Sequence, residues 1–156
     1  ARCLKQNSSL AEPIIIYSSP IERARETALI MLNELSISTS SIIFDDRLKE
    51  SSFGDWEGLT DPEVAERYPV SWQARMMDRW NTRPPSGESY ADVNCRVSEW
   101  YKEVEFAKTT LVICHGLTSR DLRGIYKGLT HQEVFGLAET HDGFFKLSRG
   151  IVSFVT

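Results

Sequence analysis

One histidine closes the apolar run Leu111-Val112-Ile113-Cys114 and is followed at once by Gly116. Four apolar residues with β-branched side chains in the middle predict a short strand buried on both faces. Thr118 and Ser119 then offer an N-cap for a helix running through Asp121-Leu122-Arg123-Gly124-Ile125-Tyr126. A polar turn at the carboxyl end of a buried strand, ahead of a helix N-terminus, is where open α/β sheets bind ligands. Free backbone N–H groups there favour an anion, phosphate above all. The alternative use of His115 is as a packing or capping residue of a βα turn, and on position alone that is the commoner one.

Other residues break local rules or sit where sites form. Arg23 and Arg25 fall in the first two turns of a predicted helix, where cations oppose the macrodipole at a cost of a few tenths of a kcal/mol each. Arg25 reads as a solvated surface residue, whereas Arg23 has a purpose if an anion occupies that helix end. Glu50 and Glu57 flank Ser51-Ser52-Phe53-Gly54-Asp55-Trp56, a loop with aromatics and glycine that is too polar to be core. Each is either a solvated carboxylate or a proton donor, its acidity weakened by burial against Phe53 or Trp56.

The elements that would carry these residues alternate. Ile14–Tyr17 reads as a second buried strand. Ser19, Pro20 and Glu22 supply N-cap, first-turn proline and capping-box partner for a helix to about Leu35. A polar loop, 36–41, leads to a short strand at Ile42–Phe44. Thr60-Asp61-Pro62-Glu63 opens a helix to about Tyr68, and residues 71–80 are helical, with Trp72, Met76, Met77 and Trp80 as packing stripe or pocket wall. Ser89 caps a long helix to about Phe106. Thr130-His131-Gln132-Glu133 starts a helix to about Ala138. Two strands at 144–148 and 151–155, joined by Arg149-Gly150, finish the chain. This order predicts an α/β protein, a three-layer αβα sandwich with helices on both faces of a mixed, mostly parallel sheet. The whole of residues 1–156 reads as a single domain, with no repeat or linker.

Composition narrows the function. A net charge of −4 and the absence of basic clusters argue against nucleic acid, and no apolar run approaches a membrane span. Cys3, Cys95 and Cys114 are odd in number and lack metal-type spacing, which predicts neither a disulfide framework nor a zinc site. Cys114 is expected to pack as a small hydrophobe. A reducing cytoplasm is the expected compartment. Nothing in the sequence speaks to oligomeric state.

Taken together, four stretches resemble the histidine phosphatase superfamily, also called phosphoglycerate mutase-like. They are Ser18-Ser19-Pro20-Ile21-Glu22-Arg23-Ala24-Arg25-Glu26-Thr27; Glu50 with Phe53-Gly54-Asp55-Trp56-Glu57-Gly58; Pro84-Pro85-Ser86-Gly87-Glu88-Ser89; and Val112-Ile113-Cys114-His115-Gly116, in the family's order. The resemblance covers nearly the whole chain. It implies phosphoryl transfer through a phosphohistidine. One histidine attacks phosphorus, two arginines and a second histidine hold the phosphoryl oxygens, and a glutamate protonates the leaving oxygen. Planar guanidinium forks and fixed donors suit the charge spread over those oxygens. Carried over, Arg23 becomes a phosphate clamp, Glu50 the proton donor, and His115 the second histidine, with Gly116 in the phosphate-binding turn. Arg83 and Trp80 are expected near the pocket mouth. The scheme requires neither metal nor other cofactor, and the expected partner is a small phosphorylated metabolite or phosphate.

One motif of the resemblance is missing. Arg-His-Gly, which in this family supplies the nucleophile and one arginine from the first strand, does not occur in residues 1–156, and His131 and His141 lie in no matching context. The expectation is therefore that the first strand lies upstream of Ala1, and that without it the sheet has a gap. Hydrolysis in the longer parent is favoured over mutase activity, because the span from Trp56 to Ser89 is short. The alternatives are a mutase, an inactive phosphate-binding or interaction domain, and, least favoured, attack by His115 itself.

Overall fold

Alternation along two short strands explains the layers. In the computed structural model, which describes residues 14–104, 109–140 and 142–156, the strands are β1 (Ile15–Ser18), β2 (Ile42–Phe44) and β3 (Thr110–Ile113). They form a parallel sheet in the order β2-β1-β3, with Ile16 opposite Ile42 and Leu111. Successive side chains of a strand point to opposite faces. On one face Ile16 and Ile113 pack against Ala24, Ala28 and Leu32 of helix α1 (Glu22–Leu35). On the other, Tyr17 and Val112 meet Val93, Val97 and Trp100 of α4 (Tyr90–Glu103) and Leu122 of α5 (Gly116–Lys127). The Tyr17 ring meets the Trp100 ring edge-on, with centroids 5.3 Å apart. The architecture is α/β, with helices on both sides, as the chain's alternation predicts.

Between β2 and α4 lie α2 (Asp61–Arg67) and α3 (Pro69–Met77). After α5 come α6 (His131–Phe135) and an antiparallel hairpin, β4 (Phe144–Ser148) and β5 (Ile151–Val155). Among the described residues the hairpin is a separate two-stranded sheet, so the parallel and antiparallel parts are not hydrogen-bonded into one mixed sheet. It is tied to α5 instead: Lys127 Nζ donates to the Gly150 carbonyl at 2.8 Å, and the Gly150 N–H donates to Tyr126 Oη at 2.8 Å. No described helix is long and apolar enough to cross a membrane.

Several boundaries differ from expectation, each for a local reason. Helix α2 ends at Arg67 with Tyr68 as its C-cap, close to expectation, but α3 starts at Pro69 rather than at 71, because proline's missing N–H costs nothing at the first helical position. Helix α3 stops at Met77, since Asp78 accepts hydrogen bonds from the Asn81 backbone and side chain and turns the chain. Helix α6 ends at Phe135, where Gly136 N–H bonds back to Glu133 and Val134. The readings for residues 1–12, Cys3 and His141, and for the end of α4 near Phe106, lie outside the described residues.

Candidate active site

His115 does not precede the capping residue of α5; it is that residue, with extended backbone (φ −121°, ψ 174°), and the helix begins at Gly116. Thr118, expected as the N-cap, lies inside the first turn, fully buried, and its hydroxyl donates to the Lys49 carbonyl at 2.6 Å. That bond ties α5 to the segment carrying Glu50. The Glu50 carboxylate accepts from Ser51 N–H at 3.1 Å and faces the Leu117 N–H at 3.5 Å. Glu50 is thus brought to the N-terminus of α5 from 67 residues away.

The His115 ring is 7% exposed and held from two sides. Arg23 Nε donates to Nδ1 at 3.1 Å, and Nε2 lies 2.8 Å from Ser19 Oγ. A guanidinium has only donors, so Nδ1 accepts, and the neutral ring carries its hydrogen on Nε2 and gives it to Ser19. Burial, followed by the positive charges of Arg23 and Arg96, pulls the His115 pKa down to about 4. The ring is a neutral donor, and neither nitrogen offers a free lone pair. Ser19 is a residue whose role the sequence misassigned. Helix α1 starts at Glu22 with Ile21 as cap, and the Ser19 hydroxyl accepts from Ile21 N–H at 3.2 Å while holding the histidine. Arg23 is exposed, and among the described residues its two Nη groups make no hydrogen bond.

The loop carrying Glu50 is located by a clasp. Gly54 has φ of +55°, and a Cβ there would come within 2.1 Å of the Pro85 carbonyl; one at Gly87 would come within 2.7 Å of the Ser52 carbonyl. Only glycine allows the two chains this approach. Asp55 N–H donates to Pro85 O at 3.0 Å, and Glu88 N–H donates to Ser52 O at 2.8 Å. The Glu88 carboxylate accepts from Ser52 N–H at 3.0 Å and from Arg96 Nε at 2.9 Å, and Arg96 Nη1 reaches the Arg47 carbonyl at 2.6 Å. The Pro-Pro-Ser-Gly-Glu-Ser turn and Arg96 therefore set the backbone on either side of Glu50. Arg96 went unnoticed in the sequence, where it is one of many helix-surface cations.

Gly116 lies against another pair that sequence reasoning missed. A Cβ on Gly116 would sit 2.9 Å from Glu139 Oε2, and Arg120 Nη2 meets Glu139 Oε1 at 2.6 Å. A carboxylate at a helix N-terminus is favoured by the macrodipole. One turn further, Asp121 is 1% exposed, accepts from Asn94 Nδ2 at 3.1 Å, and is pushed up to about 6 chiefly by burial.

Arg83 is engaged elsewhere. Its Nε donates to Asp92 Oδ2 at 2.6 Å, and the bidentate pair holds the Asp92 carboxyl well below the usual carboxylate range while Asp92 closes the capping box of α4. Trp80 stacks on His131 with ring centroids 3.9 Å apart. Glu57 is exposed and accepts from Ser52 Oγ at 2.9 Å. Arg25 is exposed, with its guanidinium 5.0 Å from the Phe44 ring. Cys114 packs against the core, and burial pushes its thiol up to about 12. Beside the Glu50 loop opens a cleft of about 490 Å³, walled by Phe53, Trp56, Trp72, Met76 and Tyr90 and holding Arg75. Trp72 and Met76 are thus pocket wall, while Met77 is 79% exposed.

The arrangement can bind an oxyanion between a guanidinium, a neutral imidazole and helix-end N–H groups, with a carboxyl alongside to move a proton. The bifunctional protein Rv2228c of Mycobacterium tuberculosis is 38% identical over 103 residues, which cover 64% of this chain and 27% of that protein. The 2,3-bisphosphoglycerate-dependent phosphoglycerate mutase of Bartonella quintana is 30% identical over 129 residues, 77% of this chain and 61% of the mutase. The chain thus spans about a quarter of the one relative's length and about three fifths of the other's. The alpha-ribazole phosphatase of Shigella flexneri shares the fold, with a TM-score of 0.80 at 17% identity over 98% of this chain and 77% of that one. The sequence model of the histidine phosphatase superfamily (branch 1) matches residues 1–141, and this chain belongs to that superfamily.

Proposed function

We propose that the protein carries out phosphoryl transfer through a phosphohistidine and that the reaction is hydrolysis of a small phosphomonoester in the cytoplasm. The observation that carries the reading is the convergence of Arg23, His115 and Glu50, from three separate elements, on the N-terminus of α5. The free Nη groups of Arg23 hold phosphoryl oxygens together with the Gly116 turn, His115 joins them when its Nε2–H turns from Ser19 to the phosphoryl group, and Glu50 protonates the leaving oxygen. A fork and fixed dipoles aimed at the oxygens stabilise the spread charge of the transition state without reorganising. The scheme also calls for an attacking histidine, which the family carries in its Arg-His-Gly motif; that motif does not occur within residues 1–156. Similarity to both phosphatases and mutases supports the phosphoryl chemistry. The short segment between Trp56 and Ser89 supports hydrolysis.

The test is to incubate the native full-length protein with a ³²P-labelled phosphomonoester and quench. Acid-labile, base-stable label on the protein and release of inorganic phosphate are expected. Label that appears and then moves to a second hydroxyl of the substrate would mean a mutase. A second reading, an inactive phosphate-binding domain, draws on the engagement of both His115 nitrogens and on His131 being stacked against Trp80. It predicts phosphate binding with no label at all.

A further inference from the structure

Arg75 is a buried cation with little to satisfy it. It is 3% exposed, among the described residues no carboxylate pairs with it, and within the protein only Nη1 donates, to the Thr82 carbonyl at 2.5 Å; Nε and Nη2 are not among the buried atoms left without a partner and open to the cleft. The other buried or half-buried guanidiniums have a carboxylate or two carbonyls, although Arg120 Nε is left without a partner. Arg96 pairs with Glu88, Arg120 with Glu139, and Arg123 gives Nε and Nη2 to the carbonyls of Ser119 and Ala138. Around Arg75 the neighbours are rings: its guanidinium carbon lies 5.5 Å from the Phe53 centroid and 5.4 Å from that of Tyr90. Two aromatic faces hold the fork in place and offer cation–π attraction, but they accept no conventional hydrogen bond. Burial accordingly lowers the Arg75 pKa. Donors that face a cleft instead of a protein partner are free to take a ligand there.

The partner has room. Arg75 lies in the 490 Å³ cleft, a size suited to a small molecule, where the walls include the rings of Phe53, Trp56, Trp72 and Tyr90. Glu57 and Asp61 also border it, but both are exposed and their charges face water at the rim. Arg79 also lines the cleft but is exposed, so the buried fork of Arg75 is the one placed to match a carboxylate bidentately, and an apolar ring fits four aromatic walls. The cleft is also close to the proposed chemistry: Phe53 is three residues from Glu50, at most roughly 11 Å of chain.

We propose that this cleft is the subsite for the leaving alcohol of the substrate, that it takes an apolar ring bearing a carboxylate, and that Arg75 is the residue that holds the carboxylate. The proposal rests on the phosphoryl-transfer reading and deepens it: the substrate is a phosphomonoester with a second, carboxylate charge beyond an apolar body. Arg75 here determines specificity and does not touch the reacting atoms.

The experiment titrates native full-length protein with benzoate, benzamide and inorganic phosphate in separate runs, following the fluorescence of Trp56 and Trp72 and the heat of binding. Benzoate is expected to bind at least tenfold tighter than benzamide, and Arg75→Gln to bring benzoate down to the benzamide level. Equal binding of benzoate and benzamide, no binding of either, or unchanged benzoate affinity in Arg75→Gln overturns the assignment. Should that variant fail to fold, the wild-type comparison of benzoate with benzamide decides alone. A parallel Arg23→Gln protein is expected to lose phosphate and keep benzoate. If it keeps phosphate, the phosphoryl-transfer reading fails, and the leaving-group role of the cleft fails with it, separately from the benzoate result.

Discussion

The two halves of the site are built on opposite principles. At the phosphate end the central buried polar groups have partners: His115 sits between Arg23 and Ser19, Thr118 holds Lys49, and Asp121 holds Asn94, while Ser51 Oγ and Arg120 Nε are the buried atoms left without one. Those partners come from distant parts of the chain. In the cleft the residues are close in sequence, the walls are aromatic, and the one buried charge, Arg75, is left with donors to spare. The first half is organised to hold one geometry, as phosphoryl transfer requires. The second supplies area and a single polar anchor, the usual composition of a site that selects a ligand.

If that division is right, changes at the two ends have different signatures. The largest effect is expected for Arg23→Gln in the native protein, with kcat/KM down at least about 100-fold for every phosphomonoester, as for loss of one preorganised donor. A loss confined to one substrate would move Arg23 to the selecting half. Glu50→Gln comes next. Steady-state rates should fall about 100-fold for an alkyl phosphate and little for 4-nitrophenyl phosphate, whose leaving group needs no proton. Equal losses on both would deny Glu50 the role of acid.

The clasp is expected to matter to folding rather than to specificity. Gly54→Ala forces a Cβ into the Pro85 carbonyl at positive φ, and a loss of about 1–3 kcal/mol is expected in urea denaturation. A loss below about 0.5 kcal/mol would mean that the loops separate easily.

Acid provides a smaller and more detailed test. His115, depressed to about 4, binds fewer protons folded than unfolded. Its neutral form therefore adds stability above its ordinary pKa, and that stability is lost as pH falls from about 6.5 to 4. Asp121, raised to about 6, has the opposite sign: its contribution is present below the ordinary carboxylate range and lost as pH rises towards 6. The two slopes partly cancel between pH 4 and 6. Asp121→Asn should therefore lose stability more steeply on acidification than wild type, as measured by thermal melts at intervals across that range. Parallel curves would show that burial does not raise the Asp121 pKa.

How much of this was legible follows the same divide. The strands, the capping boxes at Thr60, Ser89 and Thr130, and the hairpin at Arg149-Gly150 depend on local periodicity and local hydrogen bonds, so they can be read from neighbouring residues. Arg23, Glu50 and His115 stood out because residue type and place conflicted with an ordinary surface or core role. Ser19 was read as a helix cap because its tertiary partner lies 96 residues away. Arg96, Arg120 and Glu139 are common residues on polar stretches, and only the folded chain reveals what they face. Arg75 looked like any helix-surface cation. Its burial is set by Phe53 and Tyr90, which arrive from two other segments.

The clasp has a mechanical consequence. Because backbone bonds pin residues 52–55 to 85–88, the segment between them leaves and returns at one point, and the two helices within it, α2 and α3, hang from a closed base. Motion in the cleft wall is then carried by that excursion and stops at its base before reaching Glu50. Opening or exchanging α2 and α3 is expected to leave the amide-exchange protection of Asp55 and Glu88 unchanged, so the proposed substrate-selecting wall can be remodelled while Glu50, the proposed proton donor, keeps its place.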